Sequence, residues 1–329
     1  MYDNVIHTDG FVSAIEFCPY ESATKLLAYS SAEYLHICSV TFQHEEQSSQ
    51  QEKQPVRSVV THHEHLKKYS QDGITSISWS PSSSMKYLPR CGKLALGLLN
   101  SKVIILTTDF KEETTHTTLE GHKSGVNSVA FEPLEGNKLA SVSDDNTCRI
   151  WDSVNESILH VLCLQHAGIN VCWNRLEPDV LMVAELSGSI RFYSLDEENE
   201  APLPLKWLHC GRGNLTAADW CPINPMKVGA AVGTEWVLWD STKSSLSEDT
   251  RQCHVGGSIM FRWSRQNEDV FLTQGRPKHS LKIHHLGHRE LLRHETLQVG
   301  SGATWHAIHP ICAVAGSQHI QFYDVSSDL

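Results

Sequence analysis

The chain has 329 residues, 40% of them hydrophobic, with 27 basic against 38 acidic residues and a formal net charge of −11. That length buries an ample core without metal or disulfide staples. The acidity repels phosphate backbones, which argues against nucleic acid as a direct ligand and favours basic protein partners.

The opening MYDNVIHTDG lacks the basic-then-apolar pattern of a secretory leader, and no run of about 18 apolar residues occurs. The expectation is a soluble, intracellular protein with no direct membrane contact. None of the ten cysteines stands in a Cys-x-x-Cys pair, and Cys38, Cys163 and Cys312 lie within apolar runs. They read as free thiols acting as small hydrophobes in a reducing compartment.

Taken in chain order, DNVIHT at 3–8 has strand character and precedes a phrase written seven times. Each copy opens with a strand-like run ending in an aromatic, crosses a turn-rich spacer, and continues with a small-residue apolar strand, a tight turn and a third strand. The first copy is FVSAIEF, ending at Phe17, then KLLAYS and LHICSV. Behind it QHEEQSSQQEKQPV at 43–56 is too polar to bury itself and reads as a mobile loop. RSVVTHH (57–63) follows as an outer strand.

The second copy runs GITSISW to Trp79, a Ser/Pro-rich connector (80–92), KLALGLL and KVIILT, with THTTLEG (115–121) outermost. The third is GVNSVAF to Phe131, KLASVS, TCRIWD and SILHVLC (157–163). The fourth is GINVCW to Trp173, VLMVAE, SIRFYS and LKWLHC (205–210). LTAADW to Trp220, KVGAAVG, EWVLWD and QCHVGG (252–257) make the fifth. GSIMFRW to Trp263, DVFLTQ, SLKIHHL and HETLQVG (294–300) make the sixth; GSGATW to Trp305, ICAVAGS and HIQFYD make the seventh.

From Phe131 onward the strand-ending aromatics recur every 42–47 residues or so, about the period of a four-stranded WD-type propeller blade. The expected fold is therefore all-β: a single seven-bladed WD-repeat β-propeller over residues 1–329, with no second domain. After HIQFYD only VSSDL remains, and an open ring would leave two unpaired sheet edges. The 3–8 segment is expected to complete the last blade and close the ring.

The third copy carries LEGH and SVSDDNTCRIWD, which place His122, Ser141 or Ser143, Asp145 and Trp151 at the positions of the WD-repeat hydrogen-bond chain. A catalytic Ser-His-Asp reading of these residues is rejected, because buried polar groups at repeat-defined positions must satisfy one another. Only this copy has the full set: the fourth has His166 and Tyr193 but Ser187 at the Asp position, and the fifth has Gly233 there before Trp239. The other blades are expected to rely on apolar packing. Histidine clusters at 62–65, 284–288 and 305–309 lack a third or fourth ligand at zinc spacing, so no metal is expected. GRGN at 211–214 lacks the Lys-Ser/Thr of a phosphate loop, and no cofactor is expected. Trp207, on an expected outer strand, is the candidate partner-binding residue. With no convergent acid, base or nucleophile, the chain reads as a non-enzymatic platform.

With LEGH, SVSDDNTCRIWD, LMVAE, WVLWD, FRWS, IHHLGH and VGSG in hand, the chain resembles the thirty-seven-kilodalton WD-repeat nucleoporin family of the Y-shaped outer-ring complex of the nuclear pore. The resemblance runs the whole length and implies a scaffold. Such a protein docks on a large β-propeller/α-helical nucleoporin, and through it on the other outer-ring nucleoporins. It sits at the nuclear envelope in the pore and visits kinetochores in mitosis, supporting pore assembly, nucleocytoplasmic transport and chromosome segregation. Two rivals stand beside it. A ubiquitin-ligase adaptor would favour an Arg two residues after Trp-Asp, but WDSV (151–154) and WDST (239–242) have none. A chromatin-peptide reader would use an acidic ring to hold basic tails.

Overall fold

β-branched and aromatic residues alternating with small or polar ones favour pleated, half-buried strands, and Gly, Asn and Asp punctuate them. In the computed structural model, which describes residues 4–42, 60–195, 201–211, 214–277, 279–297 and 302–328, each repeated phrase becomes one four-stranded antiparallel sheet. Blade one is β2 (Val12–Phe17), β3 (Leu26–Ser31), β4 (Tyr34–Phe42) and β5 (Val60–Ser70). Blade two is β6 (Ile74–Trp79), β7 (Gly92–Leu98), β8 (Val103–Thr108) and β9 (Thr114–Leu119). Blade three is β10 (Val126–Phe131), β11 (Lys138–Ser143), β12 (Thr147–Asp152) and β13 (Ser157–Cys163). Blade four is β14 (Gly168–Trp173), β15 (Val180–Glu185), β16 (Ser189–Ser194) and β17 (Leu203–His209). Blade five is β18 (Leu215–Trp220), β19 (Lys227–Val232), β20 (Glu235–Asp240) and β21 (Asp249–Gln252). Blade six is β22 (Ser258–Trp263), β23 (Val270–Gly275), β24 (Ser280–His285) and β25 (Arg293–Glu295).

Blade seven is β26 (Gly302–Trp305), β27 (Ile311–Ala315), β28 (His319–Asp324) and, outermost, β1 (Val5–His7) from the other end of the chain. The junction pairs Val5 with Gln321, Ile6 with Ile320 and His7 with His319. Phe322 N–H donates to Asn4 O at 2.8 Å and Thr8 N–H to Gln318 O at 3.0 Å, while Ile6 is buried. The fold is a seven-bladed propeller closed by its N-terminal strand.

Its apolar core is divided among the gaps between blades. One cluster joins Ile6, Ile320 and Phe322 of blade seven to Phe17, Phe42 and Val60 of blade one. The pattern repeats around the ring, as in Leu139 and Trp151 of blade three against Val103 and Leu119 of blade two. Each blade is thus a wedge that buries both faces, at about 1.5–3 kcal/mol per large aliphatic or aromatic side chain.

The strand-ending aromatics have a second use. Trp79 Nε1 donates to Glu16 O (3.1 Å), Trp173 Nε1 to Ala130 O (2.9 Å) and Trp305 Nε1 to Arg262 O (3.2 Å), each reaching the innermost strand of the preceding blade. At the second position of inner strands, Ser13 donates to Ile74 O (2.7 Å), Asn127 to Gly168 O (2.9 Å) and Thr216 to Ser258 O (2.8 Å) of the following blade. These bonds occupy polar groups that a sheet edge would otherwise leave unpaired.

Three outer strands differ most from their sequence expectation. β5 (Val60–Ser70) runs on past the expected end at 63, because the nine-residue β4 offers partners from Phe42 back to Tyr34. β21 ends at Gln252, before most of the expected QCHVGG, because Cys253 and His254 turn inward and donate their N–H groups to Thr234 O. β25 is only Arg293–Glu295; Leu297 beyond it packs into the gap between blades six and seven. The 43–56 loop lies outside the described residues.

Candidate interaction sites

Third-blade residues predicted as a hydrogen-bond chain are brought together in one direction. Trp151 Nε1–H donates to Ser141 Oγ at 2.8 Å, and Ser141 Oγ lies 2.8 Å from His122 Nε2. His122 Nδ1 lies 2.9 Å from an Asp145 oxygen, which fixes the tautomer: Nδ1–H donates to Asp145, and bare Nε2 accepts the Ser141 proton. Lys123 N–H (2.8 Å) and Thr147 N–H (3.0 Å) also donate to Asp145. Burial pushes the Asp145 carboxyl up, but the Thr147, Lys123 and His122 donors outweigh it and hold its pKa at about 2. Burial lowers the pKa of His122, keeping it neutral. Asn146 supplies the left-handed backbone of the turn (φ 60°). Ser143, the alternative to Ser141, instead donates to Ser124 O and accepts from Asp145 N–H. Ser141 is fully buried with its hydroxyl shared between two partners, so no substrate carbonyl reaches it.

Apolar packing does not suffice in blade six, contrary to expectation. His254 Nε2 lies 2.9 Å from Thr273 Oγ1, which lies 2.9 Å from His284 Nε2, while His254 Nδ1 meets Ser280 Oγ at 3.0 Å. By strand position Thr273 stands where Ser141 stands and Ser280 where Thr147 stands, and His284 replaces the indole of Trp151. Blade four substitutes again: buried Glu185 accepts from Gln165 N–H (3.0 Å) and His166 N–H (2.9 Å) and pairs with Arg191 (2.8 Å). Sequence reading missed both because it looked for Trp and Asp; comparing residues by strand position would have found them.

The central channel holds a second group that the sequence did not signal. The residues just before the strand-ending aromatics line it, among them Glu16, Ser78, Cys172, Asp219, Arg262 and Thr304. Arg265 approaches Glu16 at 3.2 Å and Arg262 approaches it at 3.6 Å. Asp219 accepts Trp263 N–H at 2.8 Å, and burial raises its pKa. Burial would lower that of Arg262, but Glu16 and Asp219 outweigh it and hold the guanidinium charged.

At the rim, Trp207 is 58% exposed on β17, and Leu203 and Leu205 of the same strand are exposed as well. Cys38 and Cys312 are buried as expected, but Cys163 is exposed, because the apolar run around it is an outer edge strand. All ten cysteines are free. Among the described residues no three His, Cys, Asp or Glu side chains gather as a metal site, and no helix is long and apolar enough to cross a membrane.

A family model for the WD domain, G-beta repeat, matches residues 113–152, the span that carries the third-blade chain. Over 97% of this chain and 95% of its own length, nucleoporin Nup37 of Mus musculus is 36% identical. The chain belongs to the Nup37 family. Nup37 of Homo sapiens is 34% identical over the same shares, and Nup37 of Drosophila melanogaster is 25% identical over 78% of each chain. The similarity to the mouse and human Nup37 proteins spans blades, channel and rim alike, well beyond the single repeat that the WD model matches.

Proposed function

We propose that this chain is a non-catalytic scaffold component of the nuclear pore, docking in the Y-shaped outer ring on a large β-propeller/α-helical nucleoporin. Near-full-length similarity to Nup37 nucleoporins carries this reading. The whole chain acts as one unit. It supports pore assembly and nucleocytoplasmic transport of mRNA and protein, and it accompanies the outer ring to kinetochores in mitosis. In this reading the His122–Ser141–Asp145–Trp151 chain is structural, stitching blade three, and Trp207 is a rim anchor for a partner. The Arg-bearing channel speaks against a chromatin reader, since guanidinium groups repel the basic tails such a reader would hold. Quantitative affinity purification of the endogenously tagged chain tests the reading. Stoichiometric recovery of outer-ring nucleoporins is expected; recovery of ligase adaptors or histones in their place would refute it.

A further inference from the structure

All inner strands run the same way around the ring, so the loops that follow them emerge on one face. Counting from each strand-ending aromatic, the third residue onward is Leu134, Leu176, Ile223 and Ile308 in blades three, four, five and seven. All four are exposed, Leu134 at 70% and Leu176 at 65%. One residue closer to the aromatic, Pro133, Arg175, Pro222 and Arg265 line the channel mouth on that face. The apolar arc therefore borders the mouth directly. A solubilised surface has no use for large aliphatic groups repeated at one register around an opening.

That mouth is short of negative charge although the chain as a whole is acidic. Three guanidinium groups, Arg175, Arg262 and Arg265, face two carboxylates. Glu16 is shared by Arg262 and Arg265, and Asp219 is engaged by the Trp263 N–H. Arg175 donates only to Pro19 O, at 3.4 Å, and pairs with no carboxylate among the described residues. Partial desolvation and the nearby Arg265 charge lower its pKa, as expected for a cation awaiting a counter-charge. In the loops of this face Asp179 is committed to Lys138 (3.2 Å) and Asp269 to Lys227 (2.8 Å). The cavity of about 160 Å³ has room for a side chain. At the opposite mouth the lining mixes Ser13, Thr75, Asn127 and Thr216 with Ile169 and Ile259, with no charge beyond the shared Glu16 and Arg262.

We propose that this loop face docks a partner segment that inserts an aspartate or glutamate side chain into the Arg175–Arg265 mouth while flanking apolar residues lie on the Leu134–Leu176–Ile223 arc. A planar guanidinium matches a carboxylate bidentately, and two such groups in a confined mouth select it over a neutral amide. The inference deepens the pore reading, on which it rests, by assigning the face and the chemistry of contact.

The test places a photoreactive benzoylphenylalanine at Leu176 in the full chain in cells, with a second sample labelled at Leu99, exposed on the opposite face. Crosslinked peptides are sequenced. Expected is a nucleoporin segment bearing Asp or Glu within a few residues of the crosslink, with a yield that falls about tenfold or more in Arg175→Glu. Arg175 makes no ion pair among the described residues, so this variant should melt like the parent. A crosslinked segment without an acidic residue, a yield unmoved by Arg175→Glu, or nucleoporin crosslinks from Leu99 alone would overturn the inference and leave the pore reading standing. Absence of nucleoporins from both positions would overturn both.

Discussion

Ser141 serves two buried partners through one hydroxyl, accepting from Trp151 and donating to His122. Ser141→Ala strands an indole N–H and an imidazole nitrogen and should cost about 1–3 kcal/mol, read as a lower urea midpoint with unchanged slope. Buried histidines set a second expectation at this scale. Burial depresses His254 to about 4 and His284 and His306 to about 3, against an ordinary 6.5. Below 6.5 the unfolded chain therefore takes up protons that the fold refuses. Their contribution is complete above pH 6.5 and is lost as pH falls toward 3–4. Asp145 adds a lower window, between 3.8 and about 2. Urea midpoints should be level from pH 8 to 7 and decline steadily below about 6.5; a midpoint constant down to pH 5 would contradict this. The third-blade chain was legible because all four of its residues are the usual ones. Its sixth-blade counterpart was hidden because an imidazole stands in for the indole.

Each blade was visible as an element through its strand-ending aromatic, since that residue fills a gap between wedges and often bonds across it. Outer strands were less legible: they bury one face or none, so mixed runs such as QCHVGG point to turns as readily as to strands. β1 is an exception, readable because the seventh copy lacked a fourth strand. Deleting residues 1–8 removes the β1–β28 ladder and Ile6 from the core, leaving β28 as an unpaired edge. The melting temperature should fall by several degrees or more, and an unchanged value would refute the closure. Gly229 tests the wedge packing, because a methyl group there runs into the ring of Phe261, which stacks on Phe271 at 4.8 Å. Gly229→Ala should destabilise by about 1–3 kcal/mol, measured by denaturant titration. Trp207→Ala should leave the melt unchanged, since the side chain stands in solvent, but should lower recovery of the partner nucleoporin if β17 is an anchor.

At the scale of the molecule, repeat count and ring closure could be read from the sequence because they are properties of pattern. The charged channel mouth could not, because Arg175, Arg262, Arg265, Glu16 and Asp219 come from four blades and meet only when the ring closes. A rigid ring whose polar side chains are largely occupied in holding it together is suited to being gripped. The most direct test images an endogenous fluorescent fusion of the full chain in interphase cells against a pore marker. The account predicts a punctate nuclear rim coincident with that marker; a diffuse nucleoplasmic or cytoplasmic signal with no rim would contradict it.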